Sequence, residues 1–355
     1  MNKKHVAIIG TVGVPGKYGG FETLAHNLII QLKERLDFSV YCSFAAYEEH
    51  PQEWETASLK YIKLKANGIQ SIPYDIISLL SAVKHADVIL VLGVSGAVIL
   101  PFLPKKLKKR LIVNIDGIEW KRDKWSPGIK AYLKFCEKLA VKHAGVVVAD
   151  NLEIQKYVED AYARRSELIE YGADHIAENS VNKTQNVPYA FTVCRIEPEN
   201  NIHLILEVFA ETDYQLKMVG GWNQSDYGRD LYSKYNQCEN IELINPIYNQ
   251  KELDLIRGNA RIYIHGHSAG GTNPSLVEAM YLGLPVVAFD VRYNRETTGN
   301  KAYFFSNASS LKEVLKNLSD ADLANCARDL KEMAMTRYTW KVIAEKYEKV
   351  INGVK

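Results

Sequence analysis

The chain has 355 residues, 47% of them hydrophobic, which is enough for two sizeable cores and suggests about two domains. A formal net charge of +2 provides no global field for nucleic acid, so no nucleic-acid partner is expected. Five scattered cysteines (Cys42, Cys136, Cys194, Cys238 and Cys326) lack any C-x-x-C spacing, which argues against a disulfide framework or a zinc site and fits a reducing compartment.

Lys3 and Lys4 precede only a short apolar run, so no signal peptide is expected. Val6–Gly10 reads as a buried strand and is followed by a loop carrying Gly10, Gly13 and Gly16. From Phe21 to Leu36 the apolar positions 21, 24, 25, 28, 29 and 32 have helical spacing. A strand, a glycine loop and a helix invite a dinucleotide reading. The spacing is G-x-x-G-x-x-G, however, and the next strand ends in Val40-Tyr41-Cys42-Ser43 with no carboxylate for a ribose. Gly19 and Gly20 instead allow the loop to approach a diphosphate or a sugar, and Glu22 either meets an acceptor or caps the helix.

Further strands are expected at Phe38–Cys42, Val88–Val91, Leu111–Ile115 and Gly145–Ala149, with helical stretches between several of them. The longest apolar stretch, Val88–Pro101, is interrupted by Gly93, Ser95 and Gly96 and falls short of the roughly 20 residues that a spanning helix needs. Asp116 and Glu119 follow the Leu111–Ile115 strand. Carboxylates at this spacing can orient or deprotonate an acceptor hydroxyl, or simply cap the turn. Between Lys105 and Lys142 there are twelve Lys or Arg against four Asp or Glu. Lys130, Lys134, Lys138 and Lys142 recur every fourth residue, so a helix would align them in one stripe, with Trp120 and Trp125 nearby. Such a surface is either a solvated face or a docking face for an anionic leaflet.

Polar Asp174–Pro188 reads as a linker, after which the βα rhythm restarts at Ala190–Cys194 and continues through strands at Leu216–Val219, Ile241–Leu243, Arg261–Ile264 and Val286–Phe289. The class is therefore α/β, with mainly parallel sheets in two units. Two such units leave a cleft at the carboxyl ends of their strands. Arg195 closes the first strand of the second unit, where a guanidinium can hold phosphate oxygens bidentately. His265 and His267 alternate at a strand end, but no third ligand lies nearby, and the D-x-D at Asp320 and Asp322 falls in a polar helical region. No metal is expected.

The segment His265–Asp290, HGHSAGGTNPSLVEAMYLGLPVVAFD, carries the most information. Gly270, Gly271 and Thr272 can turn bare N–H groups toward an anion, Asn273 is a plausible N-cap, and Pro274 suits the first helical position. The helix start would then face whatever sits on the turn. Glu278, one turn further on among apolar residues, needs a partner, and a ligand's hydroxyls could supply it.

GGTNPSLVEAMYLGLPVVAFD resembles the donor-binding segment of family 4 retaining glycosyltransferases of the GT-B fold, in which two Rossmann-like α/β domains face each other across a cleft. IIGTVGVPGKYGGFETLAHNL, NIDGIEWKRDKW and RIEPENN resemble the bacterial rhamnosyltransferase branch of that family, of the capsule and cell-wall polysaccharide type. The resemblance spans nearly the whole chain. It implies an acceptor-binding domain over 1–175, a nucleotide-sugar domain over 188–338, and a last helix, from about Trp340, returning to the first domain. It places Glu278 on the nucleotide ribose, the turn amides of Gly270–Asn273 and Arg195 on the diphosphate, Ile247 in the base-binding turn, and Glu296 near the donor sugar. The family's second glutamate falls on Gly270, so hydroxyl recognition on the sugar should differ from the common pattern. The family's second cation falls in the Asn200-Asn201 region, so Arg195 and the turn amides should carry more of the diphosphate. Implied are a metal-independent enzyme without cofactor, dTDP-rhamnose as donor, an undecaprenyl-diphosphate-linked saccharide as acceptor, and a peripheral position on the inner face of the cell membrane. Asp116 would orient the acceptor, while Arg195 and Glu278 serve the donor. The alternatives are a UDP-sugar-dependent hexosyltransferase of the same fold and a non-catalytic nucleotide-sugar-binding module.

Overall fold

The computed structural model describes residues 3–16, 19–176 and 188–354, so most of the Asp174–Pro188 linker lies outside the described residues. The chain divides into two compact units. One comprises Met1–Lys121, Trp125–Tyr171 and Trp340–Lys355, the other Arg122–Lys124 and Gly172–Thr339.

The first unit opens with β1 (Lys4–Ile9), whose Val6–Ile9 half is fully buried, and α1 (Gly20–Leu32), which buries Leu24, Ala25, Leu28, Ile29 and Leu32 on one face. The apolar spacing that extends toward Leu36 does not carry the helix that far. Leu36 already pairs with Lys4, because β2 (Leu36–Ser43) lies parallel to β1. There follow β3 (Glu53–Trp54), β4 (Ala57–Ile62), α2 (Ser71–Ala82), β5 (Val88–Leu92), α3 (Lys105–Lys108), β6 (Leu111–Asn114), α4 (Pro127–His143), β7 (Val146–Ala149), α5 (Leu152–Tyr162) and β8 (Glu167–Leu168). The sheet order is β3-β4-β2-β1-β5-β6-β7-β8, parallel except for the β3–β4 pair. The strands are apolar on both faces, as buried parallel strands must be.

The second unit contains β9 (Tyr189–Val193), α6 (Ile202–Ala210), β10 (Gln215–Val219), α7 (Asp226–Tyr235), β11 (Ile241–Ile244), α8 (Gln250–Gly258), β12 (Ile262–His265), α9 (Pro274–Tyr281), β13 (Val286–Phe289), α10 (Arg292–Thr297), β14 (Tyr303–Phe305), α11 (Ala308–Asn317) and α12 (Asp320–Arg337). Its sheet is wholly parallel, in the order β11-β10-β9-β12-β13-β14. One face of it packs on α6, α7 and α11 through Ile205, Phe209, Leu231 and Leu311. Both sheets reverse their strand order beside the first strand of the unit, between β1 and β5 and between β9 and β12. At such a point adjacent loops part and leave a crevice at the carboxyl ends of the strands.

The last helix, α13 (Trp340–Gly353), belongs to the first unit and packs against α1. Trp340 meets Tyr171 edge to face, with ring centroids 4.9 Å apart. Lys4 Nζ donates to the carbonyls of Ile351, Asn352 and Val354 at 3.1, 3.2 and 2.8 Å, satisfying acceptors that a helix end leaves open. Inside, the buried Asn114 Nδ2 donates to the buried Tyr347 hydroxyl at 2.9 Å. Among the described residues no helix is long and apolar enough to cross a membrane. Replacing Tyr347 by Phe leaves that buried donor unpaired. The first unit should then lose about 1–3 kcal/mol, read as a lower urea midpoint, and an unchanged midpoint would show that the bond contributes nothing.

Candidate nucleotide-sugar site

In the second unit the two turns at the reversal point are bonded to each other. The turn after β9 supplies the Glu199 carbonyl, which accepts from Ser268 N at 2.9 Å and Ser268 Oγ at 2.8 Å, and Asn201 Nδ2, which donates to the Gly266 carbonyl at 2.8 Å. Asn200 Nδ2 closes its own turn on the Arg195 carbonyl at 2.6 Å. From α10, Asn294 Nδ2 donates to the His267 carbonyl at 2.8 Å. Arg195, at the end of β9, is about half exposed, and its one carboxylate neighbour, Glu197, stands 3.9 Å away. Its guanidinium thus remains accessible to an incoming anion.

The glycine turn behaves as its composition suggests. Gly270 has φ +121°, and a Cβ built there would meet nothing within 4 Å. Space for a glutamate exists, but the backbone conformation is one that L residues rarely adopt. The absence of a second glutamate is therefore tied to the shape of the turn. Thr272 is buried, and Asn273 caps α9, its side-chain oxygen accepting from Ser275 N at 3.0 Å and Ser275 Oγ at 2.8 Å. Pro274 occupies the first helical position.

Glu278 already has protein partners, which its apolar sequence neighbours did not suggest. Its Oε2 pairs with Arg257 of α8, and its Oε1 lies 3.3 Å from His175 Nε2. The Arg257 side chain is fully buried, and Asp254, equally buried, takes its other arm at 2.8 Å. Burial alone would raise the Glu278 carboxyl, but Arg257 first, and then His175, outweigh it and hold the group at about 2. Glu278 is thus an anchored, ionised carboxylate with a small exposed portion. Glu296 pairs with Arg337, which ties α10 to the end of α12, and its second oxygen is buried without a hydrogen-bond partner. Ile247 is half-buried in the turn after β11. All these residues follow the carboxyl ends of strands of one sheet, or sit in the helices that those ends lead into.

Three buried residues at the same reversal point have polar atoms whose isolation the sequence did not reveal, and of the three Glu199 was not singled out there at all. Among the described residues, both Glu199 carboxylate oxygens, Asn200 Oδ1 and both His265 ring nitrogens have no hydrogen-bond partner. Burial raises the Glu199 carboxyl and pushes the His265 imidazole down to about 3. Buried polar atoms are ordinarily bonded, so such a concentration marks a place built for something other than stability.

In the first unit, Gly19 opens α1 with φ +120°, and a Cβ there would stand 2.0 Å from Glu22 Oε2, so a side chain is excluded. Gly20 is the first helical residue. Glu22 braces its own loop, accepting from Thr11 Oγ1 at 2.9 Å and Val12 N at 2.7 Å. Asp116 follows β6 with φ +61°, its N–H held by Asn114 Oδ1 at 2.9 Å. Glu119 accepts from Trp125 Nε1 at 3.0 Å. Among the described residues no group of three His, Cys, Asp or Glu is placed to hold a metal ion.

Residues 175–334 match the family Glycosyl transferases group 1, and residues 3–174 match a domain of unknown function, DUF1972. The match to group 1 glycosyltransferases lies within the second unit. That domain contains Arg195, the Gly270–Asn273 turn and Glu278. A curated relative, the GtfA subunit of the UDP-N-acetylglucosamine–peptide N-acetylglucosaminyltransferase of Streptococcus pneumoniae serotype 4, is 22% identical over 180 residues, covering 46% of this chain and 35% of the relative. The chain thus spans about a third of that relative's length. Among solved structures, sucrose-phosphate synthase from Thermosynechococcus elongatus superposes with a TM-score of 0.81 at 15% identity, covering 99% of this chain and 98% of that one. Anabaena Alr3699/HepE in complex with UDP-glucose gives 0.72 at 15% identity, covering 99% and 100%. The chain has the GT-B fold.

His265 gives this domain an acid-sensitive core. Unfolded, the imidazole titrates near 6.5. Folded, it stays neutral down to about 3. As pH falls from 6.5 toward 3, the unfolded chain takes up a proton that the folded one refuses, so stability declines by about 1.4 kcal/mol per pH unit from this residue. The urea midpoint of His265→Phe should fall less steeply between pH 6 and pH 4 than that of the wild type. Parallel slopes would show that His265 is not buried neutral.

Proposed function

We propose that this glycosyltransferase moves L-rhamnose from dTDP-rhamnose to a lipid-linked saccharide with retention of anomeric configuration, in the making of a surface polysaccharide. The observation that carries the donor half of the proposal is the reversal point of the second unit. There an accessible guanidinium, Arg195, shares one bonded rim with a glycine turn and the start of a capped helix. The turn amides and Arg195 take the diphosphate, and the anchored Glu278 offers its exposed oxygen to the ribose hydroxyls. Ile247 lies in the base-binding turn and Glu296 near the sugar. The family resemblance assigns Gly19 and Gly20 to donor binding and Asp116 to orienting the acceptor hydroxyl. The bond from the anomeric carbon to phosphate breaks, the acceptor oxygen bonds to that carbon on the same face, and its proton passes to the departing phosphate. Charge growing on the leaving diphosphate is stabilised by Arg195 and the amides, a term that is usually large.

The choice of rhamnose rests on the likeness of IIGTVGVPGKYGGFETLAHNL, NIDGIEWKRDKW and GGTNPSL to rhamnosyltransferases. A UDP-sugar donor is the second reading, and the HepE complex with UDP-glucose favours it. Release of dTDP from dTDP-rhamnose should require a lipid-linked acceptor, and Arg195→Ala should slow it about 100-fold. Turnover with UDP-sugars alone would transfer the assignment to the second reading, and nucleotide binding without turnover on any acceptor would make the chain a sensor.

A lipid-linked acceptor calls for a membrane-facing surface. Lys134, Lys138 and Lys142 are exposed along α4 and Lys130 is half-buried there, Lys134 Nζ lying 4.5 Å from the Trp120 ring centre. Phe102 is 79% exposed beside the Lys105–Arg110 cluster, and Phe135 is exposed on α4 itself. Exposed rings among lysines suit an anionic leaflet. Changing the four α4 lysines to Gln should lower sedimentation with phosphatidylglycerol vesicles while dTDP binding persists. Undiminished sedimentation would remove the membrane from the proposal.

A further inference from the structure

We propose that His267 is a diphosphate-contacting residue of the donor site, giving its ring N–H to a phosphate oxygen. This rests on the reading of the second unit as the nucleotide-sugar domain. His267 is the second residue beyond β12, on the rim that also carries Arg195. Its position is fixed from three sides. Asn294 Nδ2 holds its carbonyl at 2.8 Å, Ser268 beside it is bonded to Glu199, and Asn201 holds the Gly266 carbonyl. Its ring lies parallel to that of His265, with centroids 4.8 Å apart and planes 7° from each other. A backbone pinned at this many points, with a ring stacked on a buried partner, presents its nitrogens in one orientation.

Those nitrogens are not used within the protein. Neither His267 ring nitrogen has a hydrogen-bond partner among the described residues, although the side chain is only partly exposed. The surroundings decide its charge. Burial first, and then the His265 ring and the Arg122 and Arg195 guanidiniums, keep the His267 imidazole well below its usual range. A neutral imidazole carries one N–H and one lone pair. Beside a guanidinium, the group best placed to satisfy that N–H is one that the guanidinium also attracts, an anionic oxygen. Arg195 then supplies charge and His267 supplies direction. Metal binding is a poorer account, since no third ligand is placed nearby among the described residues.

The test compares dTDP and UDP affinity of the full chain, by calorimetry at pH 7.5, for wild type, His267→Phe and His267→Gln. Phenylalanine keeps the ring stack and loses the donor. Glutamine restores an N–H donor without the ring. His267→Phe should weaken nucleotide diphosphate binding about tenfold or more, as expected for a lost bond to a charged oxygen. His267→Gln should remain within about threefold of wild type. Equal affinity of His267→Phe and wild type overturns the inference and leaves the donor-site reading intact. Equal loss in both variants also overturns it, by making the residue's role one of packing. Wild-type protein that binds neither nucleotide overturns the donor-site reading itself, and this inference with it.

Discussion

A guanidinium with no exposure to water organises the second domain. Arg257 sits between α8 and α9 with Asp254 on one side and Glu278 on the other. Removing Arg257 would leave Asp254 and Glu278 without their shared counter-charge, at a cost of about 3–5 kcal/mol. The network ties α9 to α8, and so helps to set where the glycine turn that feeds α9 must run. It also sets the charge state of Glu278. With Oε2 paired to Arg257 and Oε1 beside His175, the carboxylate stays ionised although it is largely buried.

The rim near that carboxylate mixes charged and neutral groups. Arg195 is half exposed with Glu197 3.9 Å away, while burial lowers the His265 and His267 imidazoles and keeps them neutral. The buried polar atoms of Glu199, Asn200 and His265 that find no bond among the described residues are destabilising. Their cost is borne by a sheet with strong apolar packing on one face, through Ile205, Phe209 and Leu311. Strain of this kind is tolerated where the surrounding structure over-determines it.

Much of this was legible in the sequence, and what was not has a common reason. Strands of four or more apolar residues, the glycine turn and the Asn273-Pro274 helix start are local signals, and each falls within a residue or two of its expected place. Four strands went unread in the sequence: β3, β8 and β14, which are two or three residues long, and the six-residue β4. β4 alternates only loosely and pairs because β2 is there. At the site, Glu278 was identified as a buried carboxylate in need of a partner. The partner was missed because Arg257 comes 21 residues earlier, on a different helix. Asp254 and Arg257, spaced i,i+3 on α8, were the available clue that a charge pair lay on an inward face. The packing of the 195–201 turn against the 265–268 turn left no trace in either segment alone.

The first domain shows how a distant element can hold a site in shape. Asp116 takes a left-handed conformation, φ +61°, which costs a non-glycine residue about 1–3 kcal/mol. It is kept there by Asn114, whose Oδ1 accepts the Asp116 N–H at 2.9 Å, while the same side chain's Nδ2 is engaged by Tyr347. Tyr347 belongs to α13, which Lys4 secures to β1 by bonding its final carbonyls. The brace beneath Asp116 is therefore completed only when the last helix of the chain has docked on the domain that the first strand began.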